Sequence, residues 1–470
     1  MASLFSSLYT SSTALDVFSR ALGTDQANVA NASTPGYAAQ QANILPIDLS
    51  GDGASNGGGS DFISLTSNSS SLADASVQAA TSQASSSQTQ AQQLSPINQL
   101  FDITGSSGIL AALQQFSTAF SSLAVTPNDS TLQANALSAA GNVASAFNQV
   151  ASGLQTQQSQ IDSGIQSTTA QINSLASRIQ QLNVKATDET QVDPATGASL
   201  RSALSQLSSL VDITVTPGNN GAVNVLAGGE LPLVEGDQAF TLSADPSAAP
   251  GSQIASSAGG SSPTAFSGTL GALLQTRNGT IAQLLGSNGS PGTLNTLASG
   301  FASRVNALLT SGVTSSGAAG VPIFTYDAAN PANAAGTLAL DPAVTASQLA
   351  LGSTGPSPES NGIANSLAAL PSSTAVADQI SGLSPEDYLS TIAASVGQQL
   401  SGAEAASTAD QSALVTAQTN QQQLIGVSLN TEATNITTYE RAYQANAQVV
   451  SILNQLTSDA VNLISTGTAL

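Results

Sequence analysis

The sequence contains no cysteine and no histidine among its 470 residues. Without cysteine, the chain can form neither disulfides nor thiolate metal sites. Without histidine, it lacks the base of the usual catalytic triads and the commonest transition-metal ligand. Whether these absences are selected, or follow from an Ala-, Ser- and Gln-rich composition, stays open. They exclude the most frequent hydrolytic and metal-dependent chemistries.

Charged residues are also scarce. Only 7% of the chain is charged, and 28 acidic residues against 7 basic ones give a net charge of −21. The basic residues are scattered, so nucleic acid and anionic membrane surfaces are unfavourable partners. No apolar run approaches the roughly 20 residues of a membrane span. We expect no membrane insertion and no cleavable signal peptide, because the first basic residue is Arg20.

The few candidates for chemistry have simpler interpretations. Asp162-Ser163-Gly164 matches an aspartic-protease triplet, but it occurs once, inside a helical pattern, and is best interpreted as a solvated helix turn. Lys185, near a predicted helix end, is interpreted as a solvated C-terminal charge. Residues 57–61 are interpreted as flexible linker. The sequence predicts no enzyme, no cofactor and no metal.

Both ends of the chain carry heptad patterns. Apolar residues spaced by three and four predict a helical seam at each end: Leu4, Leu8, Leu15, Phe18, Leu22 and Val29 in the first, and Leu429, Ile436, Tyr439, Tyr443, Val450, Leu453 and Ile464 in the second. Polar residues, including Asp25 and Glu432, occupy remaining core positions. A second stripe follows the last helix: Val449, Ile452, Leu456 and Leu463.

Heptad patterns at both ends of one chain suit two helices that pack against each other or against copies of themselves. A helix that is apolar on more than one side must be buried on more than one side. We therefore expect the two ends to become ordered when neighbouring subunits surround them. An ordinary intramolecular coiled coil is the alternative.

The composition divides the chain into segments. Residues 1–49 form the first half of a terminal coiled-coil module and contain a Pro-Gly turn, and residues 50–61 form a Gly/Ser linker. The middle of the chain divides into the first half of a long-helix domain (62–190), a small β region (191–243), a low-complexity loop (244–263) and the second helical half with short strands (264–425). Residues 426–470 form the second half of the terminal module. The predicted fold class is mainly α with a small β component.

The helical middle has one long apolar stripe. It predicts a helix of about fifty residues, with Val150, Leu154, Ile161, Ile165, Ile172, Leu175, Ile179 and Leu182 on one side. Ser384-Pro385-Glu386-Asp387 predicts the start of a returning helix, with a hydroxyl cap and proline in its first turn. We expect that helix to pack against residues 130–184 and to break near Gly426.

Two motifs identify a family. Asn28-Val29-Ala30-Asn31-Ala32-Ser33-Thr34-Pro35-Gly36-Tyr37 resembles the N-terminal signature of bacterial flagellar rod, hook and hook-associated proteins. Residues 432–449, with Asn435-Ile436 and Tyr439-Glu440-Arg441-Ala442-Tyr443-Gln444-Ala445-Asn446, resemble the matching C-terminal signature. The long helical middle, the β segments at 207–225 and the helix entries at 268–278 and 387–397 resemble the hook-associated protein 1 family.

This resemblance implies a structural subunit that is exported through the flagellar type III apparatus and lies outside the cell. It implies as partners the hook protein, the second junction protein (hook-associated protein 3), further copies in a ring, and an export chaperone. Asn28, Asn31, Thr34, Pro35, Gly36 and Tyr37 would form the family's signature turn. Many members carry inserted β domains, for which this chain has little room. The alternatives are a hook or rod protein and, more remotely, a secreted acidic adhesin.

Overall fold

A computed structural model describes residues 2–47, 59–103, 105, 107–188, 193–218, 221–249, 253–259, 265–287, 289–354 and 359–467. Its elements are mostly helices, with short antiparallel sheets between them. The predicted fold class, mainly α with a small β component, is confirmed. Heptad and 3.6-residue periodicity dominate the sequence, so helices account for most of the buried surface.

The chain begins with helix α1 (Ala2–Asn31) and a hairpin of β1 (Gln40–Ile47) and β2 (Gly59–Ser67). The strands are antiparallel, with Gln40 opposite Ser67 and Ile47 opposite Gly59. The linker prediction for 50–61 is wrong at 59–61, and 62–67 is strand rather than helix. Strand pairing satisfies the backbone there despite the Gly/Ser composition. Residues 48–58 lie outside the described part.

Three helices follow: α2 (Ser71–Leu100), α3 (Gly108–Val125) and α4 (Ser130–Asp188). The predicted long helix is confirmed and runs for 59 residues. α3 has the length and composition of a membrane span. Its apolar face, however, is buried against the other helices, and Leu113, Phe116 and Phe120 are completely enclosed. α3 is therefore a core helix.

The β region begins after α5 (Pro194–Leu210), which Asp193 caps. Strands β3 (Ile213–Pro217), β4 (Val223–Ala227), β5 (Leu231–Glu235) and β6 (Gln238–Ala239) form an antiparallel meander in sequence order. β7 (Leu242–Ala244) pairs with β8 (Ile254–Ser256). The predicted loop at 244–263 thus contains a hairpin, because Ile254 and Gln253 find a buried environment that composition does not reveal.

The second helical half continues the same core. α6 (Gly268–Gln275) passes through a π-helical stretch (Thr276–Ile281) into α7 (Ala282–Leu285), and β9 (Gly286–Ser287) pairs with β10 (Ser290–Pro291). α8 (Thr293–Ser311) then contributes Phe301, whose ring lies 5.3 Å from that of Phe116 and 6.1 Å from that of Phe324. β11 (Phe324–Thr325) pairs with β12 (Ala339–Leu340) on either side of α9 (Ala334–Thr337).

After α10 (Gly362–Ala369), the returning helix α11 (Pro385–Ile425) begins as predicted, with the Ser384 hydroxyl accepting from the Asp387 amide. The prediction that it packs against residues 130–184 is wrong. α11 packs chiefly against α2 and runs antiparallel to it, with Gln421 bonded to Asp74 at one end and Gly397 beside Asn98 at the other. The apolar stripe of α4 is already covered by α3, α5 and α6. The chain breaks at Gly426, as predicted, before α12 (Leu429–Gly467).

Candidate assembly module formed by the two chain ends

The first and last helices pack against each other. Two contacts fix their orientation. The Phe18 and Tyr439 rings have centroids 6.2 Å apart, and about two turns further along α1 the carboxyl of Asp25 interacts with that of Glu432. Since the position rises on α1 as it falls on α12, the pair is antiparallel. The two chain ends therefore meet within one chain, which is one of the two arrangements that the heptad patterns allow.

Most predicted seam residues are only half-buried, namely Leu8, Leu15, Phe18, Leu22, Ile436, Tyr439, Val450 and Leu453. The deepest burial on α1 falls on smaller neighbours such as Ala14, Val17 and Ala21. α1 packs against the β1–β2 hairpin as well as against α12, so more than one neighbour covers it. Leu4 and Ile464 lie on the helices, but their side chains are outside the described part.

Three predicted seam positions are exposed: Val29, Leu429 and Tyr443. The pairing within one chain leaves them uncovered, so their place in an assembly interface stays a prediction. The seam passes one position to the side, through Asn28 on α1 and Ala442 on α12. Because an α-helix turns once every 3.6 residues, a shift of one position moves a side chain by about 100° around the axis.

The second apolar stripe of α12 is exposed along the residues described. Val449, Ile452 and Leu456 lie on one flank of the seam, and each is 43–55% exposed. Leu429, Tyr443 and Val461 lie on the other flank and are exposed to a similar degree. α1 therefore covers only the middle of a wide apolar surface. Leu463, the last member of the stripe, has a side chain outside the described part.

A buried polar cluster closes the seam beside the turn. Asn28, only 1% exposed, donates its amide to the Glu432 carboxylate (3.1 Å) and to the Gln40 carbonyl (2.8 Å). Its side-chain oxygen accepts from the Tyr37 hydroxyl and from the Gln40 amide, both at 2.9 Å. One side chain thus joins α1, the turn, β1 and α12.

Asp25 and Glu432 form a buried carboxyl pair, 5% and 7% exposed. Burial, followed by the hydrogen bond and the negative charge of Glu432, raises the pKa of Asp25 to about 7. Burial and the Glu432 charge also raise the pKa of Tyr37. Both carboxyls occupy core heptad positions in the sequence, which by itself assigns them no role. The feature of the sequence that indicates a polar contact is an acidic residue at an otherwise apolar heptad position in each helix.

The signature turn holds its shape through local bonds. Asn31 donates to the Ala27 carbonyl at the end of α1, and Thr34 bonds to Asn31. α1 ends at Asn31, Pro35 lies four residues further along, and Gly36 follows with a φ of +77°. A side chain at Gly36 would place its Cβ 2.7 Å from the Ala198 carbonyl oxygen. Glycine is required there by both conformation and space.

This turn docks onto the helical body. The Arg201 guanidinium of α5 donates to the Gly36 carbonyl (2.6 Å), and the Ala39 amide donates to the carbonyl of Ile425, the last residue of α11. Burial lowers the pKa of Arg201, and the charge of Asp74 opposes that effect. The predicted signature residues therefore connect the terminal helices to the rest of the chain.

The described contacts of Asp162 and Lys185, the two residues considered for catalysis in the sequence, are ion pairs. Asp162 is not the solvated turn residue expected, because it forms an ion pair with Arg277 of the π-helical stretch. Lys185, exposed in the last turn of α4, lies 4.0 Å from Asp193. Among the described residues, no group of three or more acidic side chains has the arrangement of a metal site. These contacts are structural.

Comparisons with known proteins agree with this architecture. Residues 94–324 match the model of the flagellar hook-associated protein FlgK helical domain, and residues 423–463 match the C-terminal model of flagellar basal body rod FlgEFG proteins. The chain is 25% identical to flagellar hook-associated protein 1 of Bacillus subtilis over 521 residues, covering 99% of this chain and 100% of the relative.

A solved structure shares the fold. The flagellar hook junction protein FlgK from Burkholderia pseudomallei superposes with a TM-score of 0.63 at 17% identity, covering 74% of this chain and 99% of the other. The paired signatures, the helical middle and these matches lead to one assignment. The chain belongs to the flagellar hook-associated protein 1 (FlgK) family.

Proposed function

We propose that this protein is a structural subunit of the bacterial flagellum that forms the junction between hook and filament. The observation that carries the proposal is the terminal module: two chain ends paired by family signatures, with apolar flanks that the chain itself leaves uncovered. The names of the relatives, a hook-associated protein and a hook junction protein, agree with this role.

The assembly interface of the proposal is the uncovered surface of the terminal helices. The exposed flanks of α12 extend over several turns, and α1 adds exposed Val29 and Tyr9. Burying apolar surface of this kind contributes roughly 25 cal/mol per Å². Neighbouring copies in a ring would cover these flanks, and the half-buried seam would become fully enclosed. The proposed domain division, with residues 1–49 and 426–470 as one module, follows from the same pairing.

The proposed partners are the hook protein on one side, the second junction protein on the other, and sister subunits around the ring. Export would proceed through the flagellar type III apparatus, with a chaperone and without cleavage, and would place the protein outside the cell. The low charge content suits helices that lie against other subunits. In the assembled ring, the terminal module would lie on the inside and the helical body on the outside.

Electron microscopy of a deletion strain tests the proposed function. We expect bare hooks, with filament subunits released into the medium, and restoration of filaments when the gene is returned. Missing hooks would instead support a hook or rod protein. A chain lacking residues 1–37 tests the remote adhesin alternative, because an adhesin would keep its binding whereas a junction subunit would fail to assemble.

A surface variant tests the interface itself. We expect Ile452→Ser combined with Leu456→Ser to leave the helical content by circular dichroism unchanged and to abolish filament restoration, because both side chains are exposed in the free chain. Val125→Ser is the matched control. Val125 is 81% exposed on α3, outside the terminal module, and its replacement should restore filaments normally. Equal behaviour of the two variants would refute the proposed interface.

A further inference from the structure

We propose that Asp25 and Glu432 form a proton-dependent latch between the two chain ends, closed when one proton is shared by the two carboxyls and loosened when it is lost. The latch itself rests on the geometry of the pair. Only its consequence for assembly rests on the proposed function. The state of the terminal module would then depend on the pH of the compartment in which the chain is found.

Hydrogen-bond counting around the pair requires the proton. The Asn28 amide has two hydrogens, and it gives them to Glu432 and to the Gln40 carbonyl. No donor from Asn28 remains for Asp25. The Oδ2 atom of Asp25 is fully buried and meets no donor among the residues that the structure describes. The carboxyl of Asp25 interacts with that of Glu432, and two carboxyls can bond only when one carries a proton.

In the part of the chain that the structure describes, the charges around the pair do not compensate for ionisation. From α1, Arg20 lies more than one turn away and is paired with Asp16 on the exposed side of the helix. The turn contributes Tyr37 and α12 contributes Tyr439, and both are phenols whose pKa values are raised by burial and by the carboxyl charges. Both therefore stay neutral over the range in which Asp25 titrates. Two negative charges in this buried site would repel each other.

The sign of the pH effect follows from the pKa of Asp25, which burial and Glu432 raise from 3.8 to about 7. The docked state favours the protonated carboxyl more than the separated chain does. Its extra stability is fully present below about pH 4 and is lost as the pH rises through about 7. Acidic conditions close the latch, and mildly alkaline conditions loosen it.

Distance measurement between two spin labels tests the latch in the full-length chain. The native chain has no cysteine, so single cysteines can be placed at Ser12 of α1 and Gln444 of α12, both exposed. We expect a narrow distance distribution at pH 5.5 and a broad one, with longer distances, at pH 8.5. In Asp25→Asn, whose amide replaces the shared proton with a permanent neutral donor, the distribution should be narrow at both values.

Asp16→Asn is the matched control, because it removes the same charge from an exposed, ion-paired position of the same helix. It should behave like the native chain. Glu432→Gln provides a second neutral variant, expected to be narrow at both pH values, should Asp25→Asn fail to fold. A native chain with the same distribution at pH 5.5 and 8.5, or neutral variants that keep the full pH response, would overturn the latch.

Filament restoration in the deletion strain is scored separately. A native chain that restores filaments but shows no pH response refutes the latch and leaves the junction role intact. A chain that responds to pH but restores no filaments refutes the junction role and leaves the latch intact.

Discussion

At the scale of single residues, the buried Asn28 amide carries the connection between the chain ends. Its bond to Glu432 spans 404 positions in sequence, which no local pattern reveals. The sequence identified Asn28 and Asn31 alike as signature residues. The structure separates them, since Asn28 bonds across three elements and Asn31 bonds only within its own turn and helix. The motif was predictable, but the division of roles within it depends on α12.

We expect Asn28→Ala to lower the free energy of opening of the terminal module by about 2–4 kcal/mol, because it leaves partly buried Gln40 backbone groups and the buried Tyr37 hydroxyl without their Asn28 partner. Hydrogen exchange of the α1 amides measures that quantity. Asn31→Ala, which removes exposed local bonds, should change it by less than about 0.5 kcal/mol. Equal effects would show that the seam does not depend on the buried amide.

Gly36 allows a second test at this scale. Gly36→Ala forces a side chain onto a residue with φ +77° and against the Ala198 carbonyl, so we expect a loss of about 1–3 kcal/mol in the same exchange measurement. Gly23→Ala is the control, because Gly23 lies within α1 with open space around its Cα. Alanine there should be neutral or stabilise the helix by up to about 1 kcal/mol.

At the scale of elements, periodicity predicted the helices well and the pairings poorly. The stripe from Val150 to Leu182 was sufficient to predict α4, because a long helix buries the same side of every turn. The β1–β2 hairpin was missed since Gly-rich composition resembles a linker whether or not the backbone is paired. The partner of α11 was misassigned because its apolar face would fit several helices, and the sequence does not tell which stripe is free.

The π-helical stretch gives an element-scale prediction. Arg277 and Asp162 connect it to α4, and their side chains are 15% and 28% exposed. A double-mutant cycle to alanine, read by urea unfolding, should give a coupling of about 1–3 kcal/mol, since a partly buried, charge-assisted bond is stronger than an exposed one. Arg20 and Asp16, an exposed pair within α1, should give roughly 0.2–0.5 kcal/mol. Similar couplings would contradict the prediction that partial burial strengthens the bond between Arg277 and Asp162.

At the scale of the whole molecule, the chain combines two kinds of packing. The helical body has a continuous core in which Phe116, Phe120, Phe147 and Phe301 are fully enclosed. The terminal module has a half-buried seam, a buried polar cluster at the end beside the turn, and exposed apolar residues along its flanks. The helical body, with its enclosed core, is expected to be stable by itself. The terminal module gains stability when another protein surface covers its exposed apolar side chains.

This difference predicts that the body folds without the chain ends. A chain comprising residues 69–425 keeps α2 through α11 and loses only limited contacts, among them the bonds of Arg201 to Gly36 and of Ile425 to Ala39. We expect its thermal midpoint by circular dichroism to lie within about 3 °C of the main transition of the full chain. The full chain should show an additional, earlier loss of helix from α1 and α12. A single shared transition, or an unfolded 69–425 chain, would mean that the termini belong to the cooperative core, and the idea of a module completed by neighbouring subunits would lose its physical basis.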